Sequence, residues 1–215
     1  MKKLLFAVSA LAALSLLAPS TGFAQVPHDY DNTVGLFLTP DGTGATGTSD
    51  IGAGVLVYMV LLRPADYDNG DTPYTSINAF ECSLFIDPVP NNNLFLLATT
   101  IPPNSVDIGP SKDINSGRLD YIVGLATGSE VPIVDGAVSL ITFNFMNTSV
   151  GTFDITMGPT TAPAIPGEMA YQGVAGDLRI MYSAGGSSDA SVFQFNGSAV
   201  AVEDASFGSV KALFR

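Results

Sequence analysis

Residues 77–88, with the sequence INAFECSLFIDP, decide the fold. Phe80, Cys82, Leu84 and Ile86 occupy alternate positions, and the residues between them are mostly small or polar. Successive side chains of a β-strand point to opposite faces, so this pattern predicts a strand with one buried face. Other parts of the chain must cover that face.

Several further segments have strand-like patterns, and short gaps rich in turn residues separate many of them. Residues 55–62 are apolar at nearly every position, which predicts a central strand covered on both faces, or on one face by a loop or a partner. No window before Glu203 has convincing helical periodicity. The sequence therefore predicts an all-β chain, a two-sheet antiparallel β-sandwich of about nine strands. The remaining predicted strands are 34–39, 94–98, 119–125, 141–145, 153–157, 178–182 and 192–195, with a short extended piece at 106–108.

The two ends of the chain differ in composition from its middle. Residues 1–24 combine Lys2 and Lys3, an apolar run and small residues before Ala24, as in a bacterial secretory signal peptide. The apolar run is too short to be interpreted first as a membrane anchor, so we expect secretion to the periplasm, cell surface or medium. Residues 25–33 are expected to be a mobile lead, 34–198 the sandwich and 199–215 a tail. The spacing in the tail fits a short docked helix and a sorting tail about equally well.

Charge excludes two classes of partner. The chain has 8 basic and 20 acidic residues and a formal net charge of −12. Removal of residues 1–24 takes away two lysines and no acidic residue, which changes that charge to −14. Nucleic acids and anionic lipids need clustered positive charge, so neither is an expected partner.

The sequence offers little for catalysis. The only histidine, His28, lies in the lead, and the only cysteine, Cys82, lies on the predicted core face. A Ser/His/Asp triad or a histidine-ligated metal site would have to use His28, so neither is expected in the sandwich. Two carboxylates would suffice for glycoside hydrolysis, but the acidic residues are scattered over predicted loops. We expect a chain that is not an enzyme.

One acidic loop is a candidate calcium site. Calcium prefers several oxygen ligands in a flexible loop, and the sequence DYDNGD provides them. The glycine in this loop stands one position early for an EF-hand. A solvated acidic turn is the alternative interpretation. The candidate ligands are Asp66, Asp68, Asn69 and Asp71.

The order of strands from Ile77 onward resembles that of cohesin modules and of related carbohydrate-binding modules. The segments that carry this resemblance are AFECSLFIDP, LDYIVGLA, AVSLITFNFMN and GTFDITM, which span about half of the chain. The resemblance implies a cohesin-like jelly roll. It also implies a protein partner, because cohesins bind dockerins through one exposed sheet face. No contact residue is carried over, since the strands match by core pattern.

The two ends resemble a group of uncharacterised secreted proteins of environmental bacteria. The segment VGLFLTPDG near the start and the final SFGSVKALFR carry this second resemblance. It implies a shared secretion or surface role and no known chemistry.

Three functions follow, and different observations would favour each. The first is a non-enzymatic interaction or structural module, which a flat apolar patch, such as one built from residues 55–62, would favour. The second is a carbohydrate-binding module, which an exposed row of tyrosines would favour, although the chain has no tryptophan. The third is a hydrolase, which a cleft with two facing carboxylates would favour.

Overall fold

A computed structural model describes residues 32–47, 50–70 and 72–196. In those residues the chain forms sixteen β-strands and two single-turn 3₁₀ helices, so the predicted all-β class is confirmed. None of the described helices is long and apolar enough to cross a membrane. The strands are β1 (Thr33–Phe37), β2 (Thr46–Gly47), β3 (Gly54–Leu62), β4 (Ala65–Asp66), β5 (Thr72–Pro73), β6 (Ser76–Asp87), β7 (Leu94–Thr100), β8 (Ser105–Asp107), β9 (Lys112–Asp113), β10 (Arg118–Leu125), β11 (Val131–Pro132), β12 (Ala137–Asn147), β13 (Phe153–Gly158), β14 (Met169–Gly173), β15 (Leu178–Ser183) and β16 (Phe193–Phe195), and the 3₁₀ helices are Tyr67–Asn69 and Ile114–Ser116.

Two layers of strands face each other. In the first layer, β6 pairs with β10 along one edge and with β13 and β14 along the other. The second layer has the order β1, β3, β12, β7. β15 joins the layers, because it pairs antiparallel with β14 and parallel with β1. The result is one curled sheet of 14 strands, with β4 and β5 forming a separate two-stranded sheet.

The core lies between these two layers. Phe80, Cys82, Leu84 and Ile86 of β6 are at most 3% exposed, as the alternation predicted. Contacts cross from one layer to the other: the Cys82 thiol lies 3.6 Å from the Met59 sulfur. The rings of Tyr121 and Phe143 are 5.5 Å apart, and those of Phe145 and Phe195 are 5.6 Å apart. Burial of these large apolar side chains is the main source of stability in a chain without an internal disulfide.

Six of the sixteen strands were not predicted. Five of them, β2, β4, β5, β9 and β11, have only two residues each. The sixth, β14, was missed because MAYQG is short and lacks a clear alternation. Residues 159–166 join β13 to β14, and both strands pair with β6. This segment therefore connects strands of one layer. The predicted signal peptide, the lead up to residue 31, and the tail with its candidate helix lie outside the described residues.

Candidate functional site

The outer face of β3, β12 and β7 carries side chains from three distant parts of the chain. Leu56 lies opposite Asn144, and Asn144 lies opposite Ala98. Two residues further along β12, Met146 lies opposite Phe95. The residues between them in β12 point into the core, so these five side chains share the outward side. We call this surface the β3–β12–β7 face.

Large apolar side chains are exposed on this face. Leu56 is 50% exposed, Phe95 40%, and Leu97, the extra residue at a bulge in β7, 51%. Met146 is half-buried beside Phe95, and Tyr58 is half-buried next to Leu56 on the outward side of β3. No charged residue belongs to the outward rows of these strands. The face is therefore a continuous uncharged surface, in contrast to apolar residues such as Ile51, Val89 and Val150, which are exposed singly in turns or bends.

The outer face of the other layer is covered in part. Residues 159–166, which we call the strap, cross over β6 and β10. The backbone N–H of Ala164 donates to Oε1 of Glu81 at 2.6 Å, and the hydroxyl of Thr161 donates to Oδ2 of Asp120 at 2.8 Å. As a result, Glu81 is 7% exposed and Asp120 has no exposed surface.

Asp120 is the centre of a hydrogen-bond network beneath the strap. Its Oδ1 accepts from Nε of Arg118 at 2.8 Å and from the hydroxyl of Ser83. Burial raises the pKa of Asp120, and hydrogen bonds from Ser83, Arg118 and Thr161 outweigh that effect, so its pKa lies below the ordinary value. Arg118 also donates to the carbonyl oxygen of Pro159 at 3.4 Å. The network thus ties the strap to the sheet.

The candidate calcium loop is partly engaged by Arg179. The Arg179 Nε donates to Oδ1 of Asp66 at 3.0 Å, and its Nη1 lies 3.5 Å from Oδ2 of Asp68. Asn69 ends the 3₁₀ helix; its side chain and Asp71 lie outside what the structure describes. Among the described residues, no group of three or more His, Cys, Asp or Glu side chains could hold a metal ion. Calcium at this loop stays a prediction.

Tyrosines do not form an exposed row in the described part of the chain. Tyr74, Tyr121 and Tyr171 are at most 9% exposed. The rings of Tyr74 and Tyr171 pack edge to face with centroids 5.9 Å apart. Tyr58, Tyr67 and Tyr182 are half-buried. The stacking platform that would favour a carbohydrate-binding module is therefore not present among these residues.

Two cavities in the described part of the chain lack the pair of facing carboxylates that a hydrolase would use. These cavities, of about 290 and 360 Å³, each have a single acidic residue in their lining, Glu130 and Glu168. Asp87 and Asp154 do lie directly opposite each other, but on the surface of β6 and β13. Burial raises the pKa of the Cys82 thiol, which makes it a poor nucleophile. His28 lies outside the described residues.

No family model matches the chain, and no curated protein matches it. Solved structures do. The described sandwich is similar to cohesin modules. A type I cohesin from Clostridium thermocellum, solved in a cohesin–dockerin complex, is 9% identical with a TM-score of 0.47, over 77% of this chain and 94% of that one. A type II cohesin from Acetivibrio cellulolyticus is 16% identical with a TM-score of 0.44, over 70% of this chain and 91% of that one. A non-cellulosomal cohesin from Archaeoglobus fulgidus is 11% identical with a TM-score of 0.42, over 70% and 84%.

The resemblance to cohesin modules that the strand order predicted is thus found again among solved structures, as a likeness of fold. The β3–β12–β7 face was missed by the sequence analysis, except for the suggestion that residues 55–62 could contribute to an apolar patch. Leu56, Phe95 and Met146 come together only through strand pairing, and no local pattern marks them as neighbours.

Proposed function

We propose that the chain is a secreted, non-enzymatic interaction module that binds a protein partner through the β3–β12–β7 face. The observation that carries this proposal is the exposure of Leu56 on β3 and of Phe95 and Leu97 on β7, on one uncharged sheet surface with Asn144 and Met146 of β12 between them. Contiguous exposed apolar patches on soluble proteins commonly mark interaction sites.

The composition of the face suits removal of water. Burying charged groups is costly unless they are paired, and this face has none to bury. Burial of apolar surface contributes about 25 cal/mol per Å², so covering three large side chains stabilises a complex. Polar Asn144, Thr142 and Thr100 lie in the outward rows beside them and can hydrogen-bond to a partner.

The shape of the face suits a protein surface. Small ligands are held in concave pockets that enclose most of their area. The exposed apolar side chains of the face lie on a sheet outside both cavities. The cavity of about 360 Å³ is lined by other strands and loops, and the cavity of about 290 Å³ adjoins the face at Thr100 and Thr142. The outer face of β6 and β10 is less suitable, because its buried carboxylates are already bonded to the strap.

A pull-down with matched variants tests the proposal. Residues 25–215, the exported form expected from the sequence, are used to capture proteins from the culture fluid and envelope of the source organism. The test variant, Leu56→Ser/Phe95→Ser, replaces two exposed apolar side chains of the face. The control variant, Val106→Ser/Ile108→Ser, replaces two apolar side chains elsewhere that are 66% and 70% exposed. A defined partner retained by the control variant and lost by the face variant supports the proposal.

Parallel captures with calcium and with chelator address the acidic loop. Loss of the partner in chelator would assign the dependence to Asp66, Asp68, Asn69 and Asp71, the predicted ligands. Recovery of polysaccharide alone would favour the carbohydrate-binding alternative. Equal capture by both double variants would contradict a role for the face.

A further inference from the structure

β7 is a long strand at an open edge. The other strands at the ends of the described sheets have two or three residues each, whereas β7 has seven and pairs only with β12. An open edge is a template for another strand unless charge, proline or short length prevents pairing. The sequence of β7, LFLLATT, contains neither a charged residue nor a proline. Its one irregularity is the bulge at Leu97.

The pairing of β12 shows which backbone groups of β7 point to the open edge. The carbonyl oxygen of Asn147 accepts a backbone N–H from the β3 side of β12 at 2.8 Å. Backbone groups of an antiparallel strand alternate between its two neighbours, so those of Phe145 and Phe143 also point to β3. Their partners on β7 are Leu96 and Thr99, whose N–H and C=O groups therefore lie on the open edge.

These backbone groups are not used elsewhere in the described part of the chain. At the start of the same edge, the N–H of Leu94 donates to Oδ1 of Asn91 at 2.9 Å. The described residues provide no equivalent partner for the outward groups of Leu96 or Thr99. The open part of the edge thus begins after Leu94.

The spacing along this edge favours one kind of partner strand. In a regular strand, residues that point to the same edge are two positions apart, but the bulge places Leu96 and Thr99 three apart. A regular strand cannot match both positions. A second β7 has the same spacing, and antiparallel pairing about a twofold axis places Leu96 of each copy opposite Thr99 of the other. The same register places Phe95 opposite Thr100, so outward side chains stay on one side.

Charge limits where two copies can meet. The chain has a formal net charge of −12, so most of its surface repels a second copy. Residues 94–100 are uncharged, and self-pairing there creates no pair of like charges. We propose that two copies of this chain associate through antiparallel pairing of their β7 strands. The contact joins two β3–β12–β7 faces into one wider surface, and it does not depend on the protein partner proposed above.

The test is sedimentation velocity of residues 25–215 alone, at concentrations from about 5 to about 500 µM. Two short paired strands bury much less than the ~1,600 Å² of a stable interface, so we expect a dimer with a dissociation constant above about 1 µM. Dimerisation should strengthen between about 50 and about 500 mM salt, because screening weakens the repulsion between acidic copies. In NMR spectra, the amide signals of Leu96 and Thr99 should shift with protein concentration.

Variants locate the contact. Thr99→Pro removes an N–H from the open edge and keeps the hydrogen bonds to β12, since proline is tolerated where a strand N–H faces solvent. It should weaken dimerisation by more than about tenfold, and circular dichroism checks that it folds. Thr99→Val, which keeps the N–H, is the matched control, and Leu56→Ser on β3 should also dimerise as the parent does.

Four results would overturn the proposal. They are a parent chain that stays monomeric at about 500 µM, a folded Thr99→Pro variant that dimerises as the parent does, loss of the dimer in Leu56→Ser, and amides of Leu96 and Thr99 that already exchange slowly with solvent in the monomer. The last result would mean that another segment of the same chain covers the edge.

Discussion

The hydroxyl of Thr161 donates a 2.8 Å hydrogen bond to Oδ2 of Asp120, a carboxylate without exposed surface. Oδ1 of the same carboxylate accepts from Arg118. The buried Asp120 side chain is therefore hydrogen-bonded both to Arg118 on its own strand and to the strap that crosses the sheet. Together with the hydrogen bond from Ala164 to Glu81, this arrangement covers the middle of β6 and β10, whereas Leu56, Phe95 and Leu97 of the β3–β12–β7 face stay exposed.

Asp120→Asn should destabilise the fold. The variant leaves Arg118 without its carboxylate; because Arg118 is partly exposed, we expect a loss of about 1–3 kcal/mol in the free energy of unfolding. The pKa of Asp120 in the folded chain is below its ordinary value of 3.8. The stability that the ionised carboxylate contributes is therefore fully present above that value and is lost as the pH falls through the folded pKa. Urea unfolding gives the difference in free energy of unfolding between the parent and the variant. This difference should be constant from pH 7 to about pH 4 and should shrink between there and pH 3. A difference that grows on acidification contradicts this account.

Thr161→Val should loosen the strap. The variant keeps the shape of the side chain and removes the hydroxyl that bonds to Asp120, at a cost of about 0.5–1.5 kcal/mol. Limited proteolysis should cut residues 159–166 faster than in the parent. Thr160→Val is the matched control, because the Thr160 hydroxyl is buried without a hydrogen-bond partner. That variant should be neutral or slightly stabilising; equal losses from both variants would disprove the specific role of Thr161.

The thiol of Cys82 should be unreactive in the folded chain. It has no exposed surface, and burial raises its pKa, which reduces the thiolate fraction at neutral pH. Ellman's reagent should react with it only at the rate at which the chain unfolds, and quickly in denaturant. Rapid labelling of the native protein would show that the thiol is accessible.

Asp87→Asn should stabilise the sandwich. Asp87 and Asp154 are direct cross-strand partners, and like charges in that position repel each other. We expect a gain of about 0.2–1 kcal/mol at low salt, measured by urea unfolding. The gain should largely disappear at about 1 M salt, where the Debye length is near 3 Å. A loss of stability at low salt would mean that the carboxylate makes a favourable contact that outweighs the repulsion.

The strand pattern predicted which side of β6 faces the core, because alternation depends only on the geometry of a strand. It could not predict what covers the other side. Glu81 and Ser83 are polar and were expected on an outer face, yet they are 7% and 0% exposed since the strap lies over them. The strap has a Pro/Ala/Thr-rich sequence that fits a linker or a long crossing between sheets equally well, and nothing in it marks the strands that it covers.

The candidate face was predictable only in part. Residues 55–62 are apolar on both sides, which indicated that the outer side of this strand needs cover or a partner. The structure shows Val60 buried and Leu56 half exposed, so cover is incomplete. The contributions of Phe95 and Met146 depend on which strands pair and in which register, and a single sequence does not specify that pairing.

The central claim is that the β3–β12–β7 face binds a protein, and site-specific photo-crosslinking tests it most directly. A photoreactive phenylalanine analogue replaces Phe95 on the face or, as the control, Ile108, which is 70% exposed on the other layer. After irradiation with culture fluid and envelope proteins of the source organism, the account predicts one discrete cross-linked protein from position 95, absent from position 108 and abolished by Leu56→Ser. The same products from both positions, or none from position 95, would contradict it.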